Sequence, residues 1–132
     1  MNEVIDRLNE ITCQKNPDKV FVFGDNLLEK GRAGQAAIRY EPNAFGIPTK
    51  VLPSMKVGSF MSDCAEHEEA VMEKLRKLYR LQKDFIIVFP IQGLGTGFAQ
   101  LDVRAPKIFN KMNKIIVEHF GVDEYKKFLK ME

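Results

Sequence analysis

Two uninterrupted apolar runs, each emptying directly into glycine, constrain this chain more than any other feature. Val20-Phe21-Val22-Phe23 stops at Gly24-Asp25-Asn26, and Phe85-Ile86-Ile87-Val88-Phe89 passes through Pro90-Ile91-Gln92 into Gly93-Leu94-Gly95-Thr96-Gly97. Runs of β-branched and aromatic residues without polar alternation suit strands covered on both faces, as in a parallel sheet. Helical periodicity fills the spaces between them. Val71, Met72, Leu75, Leu78 and Tyr79 share one face of a helix over about Ala65–Leu81, with Ser62 or Asp63 as its cap. Ile108, Phe109, Met112, Ile115, Ile116 and Phe120 form the stripe of a last long helix, with Pro106 in its first turn and Gly121 as its stop.

The remaining segments are shorter. Val4, Ile5, Leu8 and Ile11 have helical spacing, which predicts a helix over Met1–Ile11 before the Asn16-Pro17-Asp18 turn. Gln35–Arg39 starts a helix ended by Pro42, and Phe45–Thr49 is a short strand that Pro48 places at an edge, or whose end Pro48 marks. Val51–Phe60 reads as a loop, and Val122–Leu129 as a short terminal helix or a strand. Strands alternating with helices predict an α/β fold: a mostly parallel sheet flanked by helices in three α/β/α layers, forming one domain over residues 1–132.

Composition narrows the function classes. The net charge of +2, with Lys and Arg interleaved with Glu and Asp, is not the segregated basic surface of a nucleic-acid binder. Cys13 and Cys64 are far apart and in no metal-ligand spacing, so a disulfide framework and a metal site are not expected. His67 and His119 have no partner at ligand spacing. The acidic, amphipathic start is unlike a signal peptide, and no apolar run is long enough to span a bilayer. The expectation is a cytoplasmic protein with no membrane, metal or cofactor partner.

In open parallel sheets ligands bind beyond the carboxyl ends of the strands. Both Gly loops follow a strand directly, so both belong on that edge. Glycine permits close approach of a ligand to the main chain, and successive N–H groups at a helix start make a concavity for an anion. Gly31-Arg32-Ala33-Gly34 before Gln35-Ala36-Ala37-Ile38 has this form, as does Gly93–Gly97, where Thr96 adds a hydroxyl donor. Neither is a dinucleotide fingerprint or a P-loop. The residues alone predict a site for an anionic ligand. Arg32 either meets a phosphate or faces solvent.

Asn26 followed by Gly31–Gly34 and Ala36-Ala37-Ile38 resembles the first macrodomain motif, and Phe89-Pro90-Ile91-Gln92-Gly93-Leu94-Gly95-Thr96-Gly97-Phe98 resembles the second. The likeness covers roughly Val20 to Phe120, with the N-terminal macrodomain strands replaced by the helix over Met1–Ile11. Small phage-encoded proteins share the Phe-Gly-Asp-Asn-Leu and Ile-Pro-Thr-Lys wording. The resemblance implies binding of ADP-ribose or a related NAD-derived nucleotide. By that likeness Asn26, Gly31, Ala33 and Gly34 serve the distal-ribose side, and Gly24, Arg32 and Gln35 are expected binding residues beside them. Gly93, Leu94, Gly95, Thr96, Gly97 and Phe98 would form the diphosphate loop.

Ile47-Pro48-Thr49-Lys50 resembles the Lys-bearing strand of the terminal ADP-ribose glycohydrolase branch. That likeness implies Lys50 as a nucleophile removing ADP-ribose from a modified protein or nucleic acid, with Asp25 or Asp102 as carboxylate partner only where the fold brings one within hydrogen-bond reach; the bland reading of Lys50 is a surface lysine or a phosphate contact. The positions where macrodomain hydrolases carry an Asp read Gln35-Ala36-Ala37 and Phe98-Ala99-Gln100 here. Asp102 reads as a helix N-cap and Asp25 as a loop cap. The alternative is a non-enzymatic, phage-type interaction protein that keeps the fold and acts on a host partner.

Overall fold

The two buried runs are the two central strands of one four-stranded parallel sheet. The computed structural model describes residues 1–130; residues 131 and 132, part of the expected single domain, lie outside the described residues. The strands are β1 (Glu3–Ile5), β2 (Lys19–Asn26), β3 (Ala44–Lys50) and β4 (Ile86–Pro90), ordered β1-β4-β2-β3. All three pairings are parallel. Because β2 and β4 are neighbours, the loops that leave their carboxyl ends emerge side by side.

The period-2 geometry of a strand sends alternate residues to opposite faces, and both faces are buried. Val20, Val22, Ile87 and Phe89 pack in one cluster with α2 (Ala65–Leu81) and α4 (Pro106–Phe120). Phe21, Phe23 and Val88 pack in the other, under α1 (Glu10–Lys15) and a 3-10 helix over Gly34–Ile38. That explains why neither run could carry polar alternation. The fold is thus α/β, a parallel sheet flanked by helices on both faces.

Several sequence expectations are corrected. The N-terminal helix over Met1–Ile11 does not form. Val4 and Ile5 lie on β1, and α1 begins only at Glu10, capped by Asn9, whose Oδ1 accepts from Thr12 N–H at 2.8 Å. Tertiary pairing overrides the local period. Asn2 anchors the strand by donating to Gln82 Oε1 and the Phe120 carbonyl while accepting from Ile87 N–H. β2 does not stop at Gly24 but continues through Asn26, past a register shift between Asp25 and Asn26. The segment after Ala33 is a 3-10 turn rather than an α-helix, and the terminal segment Asp123–Phe128 is also 3-10. Tyr79 is not core; it is half exposed, with its ring edge against His119 and Phe120.

Asp63 caps a different helix from the one expected. α2 starts at Cys64 without a side-chain cap. Asp63 instead accepts from the N–H groups of Lys107 and Ile108, at 3.0 and 2.9 Å, and so caps α4. Pro106 at N1 lacks an N–H, leaving those two donors as the ones a carboxylate can serve. Asp63→Ala should cost about 0.5–2 kcal/mol. A chemical-denaturation midpoint measures it, and an unchanged midpoint would deny the cap a role.

Cys13 is buried and free, and burial pushes its thiol up to about 11 from the ordinary 9.0. Tyr125 is buried with its hydroxyl donating to the Pro90 carbonyl, and burial raises its pKa as well. Both groups are neutral in the fold and ionise more readily once unfolded. Their contribution is complete below the unfolded-state values and is lost as pH rises through the folded ones. Stability should therefore fall from about pH 9 upward. The fall should shrink in Cys13→Ala/Tyr125→Phe; an equal alkaline slope in that variant would contradict the assignment. Among the described residues, no helix is long and apolar enough to cross a membrane.

Candidate functional site

At the carboxyl edge of β2, β3 and β4 lies a cleft of about 560 Å³, within the range of small-ligand sites. Its walls are the two Gly loops, with Thr49 and Lys50 from the end of β3 and Pro53 and Met55 from the loop beyond. Gly24, Asn26, Gly31, Arg32, Ala33, Gly34 and Gln35 all line it, as do Gly93, Gly95, Thr96, Gly97 and Phe98. Leu94, expected among the binding residues, does not line it. Its side chain is fully buried in the main core, where it anchors the loop from behind.

The second loop is shaped by what glycine alone can do at one point. Gly95 has φ +78°, and a Cβ built there would stand 2.7 Å from Leu101 Cβ and 3.2 Å from Thr49 Cβ. The main chain is pressed between the start of α3 (Leu101–Arg104) and the end of β3, with no room for a side chain. Leu101 N–H closes the turn on the Gly95 carbonyl at 2.9 Å. Among the described residues, the N–H groups of Gly95, Thr96, Gly97 and Phe98 have no acceptor within the chain; nor do those of Gly34 and Gln35. All six residues line the cleft, so their N–H groups are candidate donors to an anion there.

Arg39 holds the first loop in place. Its guanidinium donates to Asp25 Oδ1 at 2.6 Å, to the Gly31 carbonyl at 2.7 Å and to the Lys30 carbonyl at 3.1 Å. It also lies over the Phe23 ring at 5.4 Å. Both charged side chains of the pair are less than a tenth exposed. Asn26 closes the same loop from the other side, with Nδ2 donating to the Lys30 carbonyl and Oδ1 accepting from Leu28 N–H at 3.1 Å. The Asn26 amide thus closes the loop that it presents to the cleft.

Charge in the cleft is lopsided. Lys30, Arg32 and Lys50 line it, while the one acidic lining residue among the described residues, Asp25, is already paired with Arg39. Arg32 is half exposed, pairs with Glu10 at 3.0 Å and lies over the Tyr40 ring. Lys50 sits beside Asn26 in strand register. Its Nζ donates to the Ser54 carbonyl and lies 5.0 Å from the Phe60 ring centre, and burial lowers its pKa below the ordinary lysine value. Thr96 does not offer its hydroxyl proton to the cleft, since Oγ1 donates to the Gln92 carbonyl at 2.9 Å. Asp102 is not an N-cap but lies inside the first turn of α3, whose cap is Gln100 with φ +54°.

A family model matches residues 4–115, a span that runs from β1 into α4 and contains both loops. The chain is a member of DUF7831, a family of unknown function. No curated protein and no solved structure matches it.

In this DUF7831 member the residues that sequence reasoning missed are Arg39, Lys30 and Thr49. Arg39 carried no motif, and its carboxylate partner lies 14 positions earlier. Thr49 lies beneath Gly24 and Gly95 and donates to the Asp25 carbonyl. A second cavity of about 540 Å³ opens at the other end of the sheet, lined by Cys13, Val20, Ala44, Phe45 and Phe85 among others. It holds neither Gly loop. Among the described residues, no group of three or more His, Cys, Asp or Glu could hold a metal ion.

Proposed function

We propose that the cleft binds ADP-ribose or a related NAD-derived nucleotide, the distal ribose against Gly31–Gly34 and the diphosphate against Gly93–Gly97. What supports this reading is the convergence of both glycine loops on one cationic cleft with a row of unengaged N–H donors. Oriented backbone donors and nearby cations favour an extended dianion over a neutral ligand. The macrodomain resemblance of both loops supplies the choice of ADP-ribose within that class. Titration calorimetry with ADP-ribose, NAD and ADP tests it. ADP-ribose should bind one to one and more tightly than ADP; no heat with any of the three at millimolar ligand would end the proposal.

The chemistry proposed for the site is release of ADP-ribose from a modified protein or nucleic acid. Neutral Lys50 attacks the ribose C1″ as the bond from C1″ to the macromolecule breaks, and the leaving group takes up a proton. Water then hydrolyses the Lys50–ribose adduct to free ADP-ribose and the amine. An amine attacks only when neutral, and burial of Lys50 enlarges that fraction at a given pH. Asp25 belongs to the supporting structure in this reading, because its carboxylate is held by Arg39 and by Asn26 N–H. Lys50→Ala should keep ADP-ribose affinity within about tenfold and lose release from an ADP-ribosylated peptide. The wild-type rate should rise with pH through a value below that of ordinary lysine. A variant releasing at the wild-type rate would remove Lys50 from the chemistry.

One observation favours a second reading, an interaction protein. Phe98, Val57 and Val103 are each at least three-quarters exposed, and Phe98 lies at the cleft mouth. That reading predicts an apolar exposed patch, no heat with any of the three nucleotides, and a biological effect retained all the same.

A further inference from the structure

Gln35 does something that its position in a Gly loop did not announce. Its Oε1 accepts from Gly24 N–H at 2.8 Å, and its Nε2 donates to the Gly93 carbonyl at 3.0 Å. The amide orientation is dictated by its partners, since the flipped amide would set donor against donor and acceptor against acceptor. The bridge stands where the sheet opens. The β2–β4 ladder ends at Phe21 paired with Val88, while β2 runs on to Gly24 and beyond, and β4 turns away at Pro90. Gln35 replaces the missing ladder contact with a side chain that comes from the first loop and ends on the second. One residue therefore joins β2, the 3-10 turn and the second Gly loop at the cleft floor.

Resting on the reading of the cleft given above, we infer that Gln35 is a positioning residue that fixes the separation of the two loops. It thereby makes the cleft select ligands long enough to touch both loops over those that touch one. A ligand held by one loop is indifferent to the gap between them. A ligand that spans both loses complementarity as soon as the gap varies, because part of its binding free energy goes into restoring it.

The test compares ADP-ribose, which reaches both loops, with ADP, which reaches the diphosphate loop alone. Wild-type protein should prefer ADP-ribose by at least about tenfold. Gln35→Met, of similar length and without either hydrogen bond, should collapse that preference toward unity while ADP affinity stays within about threefold. Gln35→Asn, too short to reach both partners, should do the same and serves if the Met variant does not fold. In the unliganded protein either variant should speed hydrogen exchange at Gly24 N–H while leaving Val22 N–H unchanged. Equal loss of affinity for both ligands would mark a merely structural role and overturn the inference. An unchanged preference, or unchanged Gly24 exchange, would also overturn it. A wild-type protein that binds neither ligand, or binds both equally, contradicts the functional reading beneath the inference, whereas a wild-type preference that both variants keep contradicts the inference alone.

Discussion

Arg39→Leu should destabilise the protein by about 3–5 kcal/mol, the range for breaking a buried ion pair from one side. The guanidinium is less than a tenth exposed and holds Asp25 together with the carbonyls of Lys30 and Gly31. Removing it leaves the Asp25 carboxylate buried against β3, where a Cβ on Gly46 would already stand 2.5 Å from Asp25 Oδ2. No movement of Asp25 toward that strand is open to it. Asp25→Asn combined with Arg39→Leu should recover part of the loss, because the uncompensated charge is then gone. Urea midpoints for the four members of the cycle measure this. Equal destabilisation in single and double variants would mean that the charge pairing itself contributes nothing.

Gly95→Ala should have the second large effect, and on two readouts together. A residue with a Cβ at φ +78° carries roughly 1–2 kcal/mol of backbone strain. The new methyl must also push Leu101 back from 2.7 Å, adding an overpacking cost of about 1–3 kcal/mol. Leu101 is fully buried in the main core, so its yielding moves α3 and the donors of the loop with it. ADP-ribose affinity should drop below detection at ligand concentrations that saturate the wild type. Gly97→Ala is the control, since a Cβ there meets nothing within 4 Å and its φ is not positive. It should melt like the wild type, and a Gly95→Ala protein that also melts and binds like the wild type would contradict the packing described for the loop.

The parts of this molecule that were legible in the sequence are those where burial dictates residue type. Val20–Phe23 and Phe85–Phe89 could be strands under cover on both faces and little else, and the stripe of α4 left no doubt about its period. Pro48 lies in the edge strand β3, one of the two placements its missing N–H allowed. The cleft followed from these, since a strand running into glycine fixes which end of the sheet the loop occupies. What was not legible depended on distant partners. β1 is three residues long, too short to show a period, and exists because β4 offers it a ladder. Asp63 looked like the cap of the helix next to it, yet serves donors more than forty positions away on α4. The roles of Arg39 and Gln35 follow from contacts across the fold: nothing local marked Arg39, and the loop motif that named Gln35 a binding residue gave no sign of its bridge to Gly24 and Gly93.

The central claim is that one anionic ligand lies between both Gly loops. An amide ¹H–¹⁵N titration of the whole chain with ADP-ribose tests that claim most directly. Saturating shifts should appear together at residues 31–35 and 95–99 with a single dissociation constant, and leave Val20, Ala44 and Phe45 around the second cavity unmoved. Shifts confined to one loop, shifts centred on the second cavity, or no shifts at millimolar ligand would contradict it.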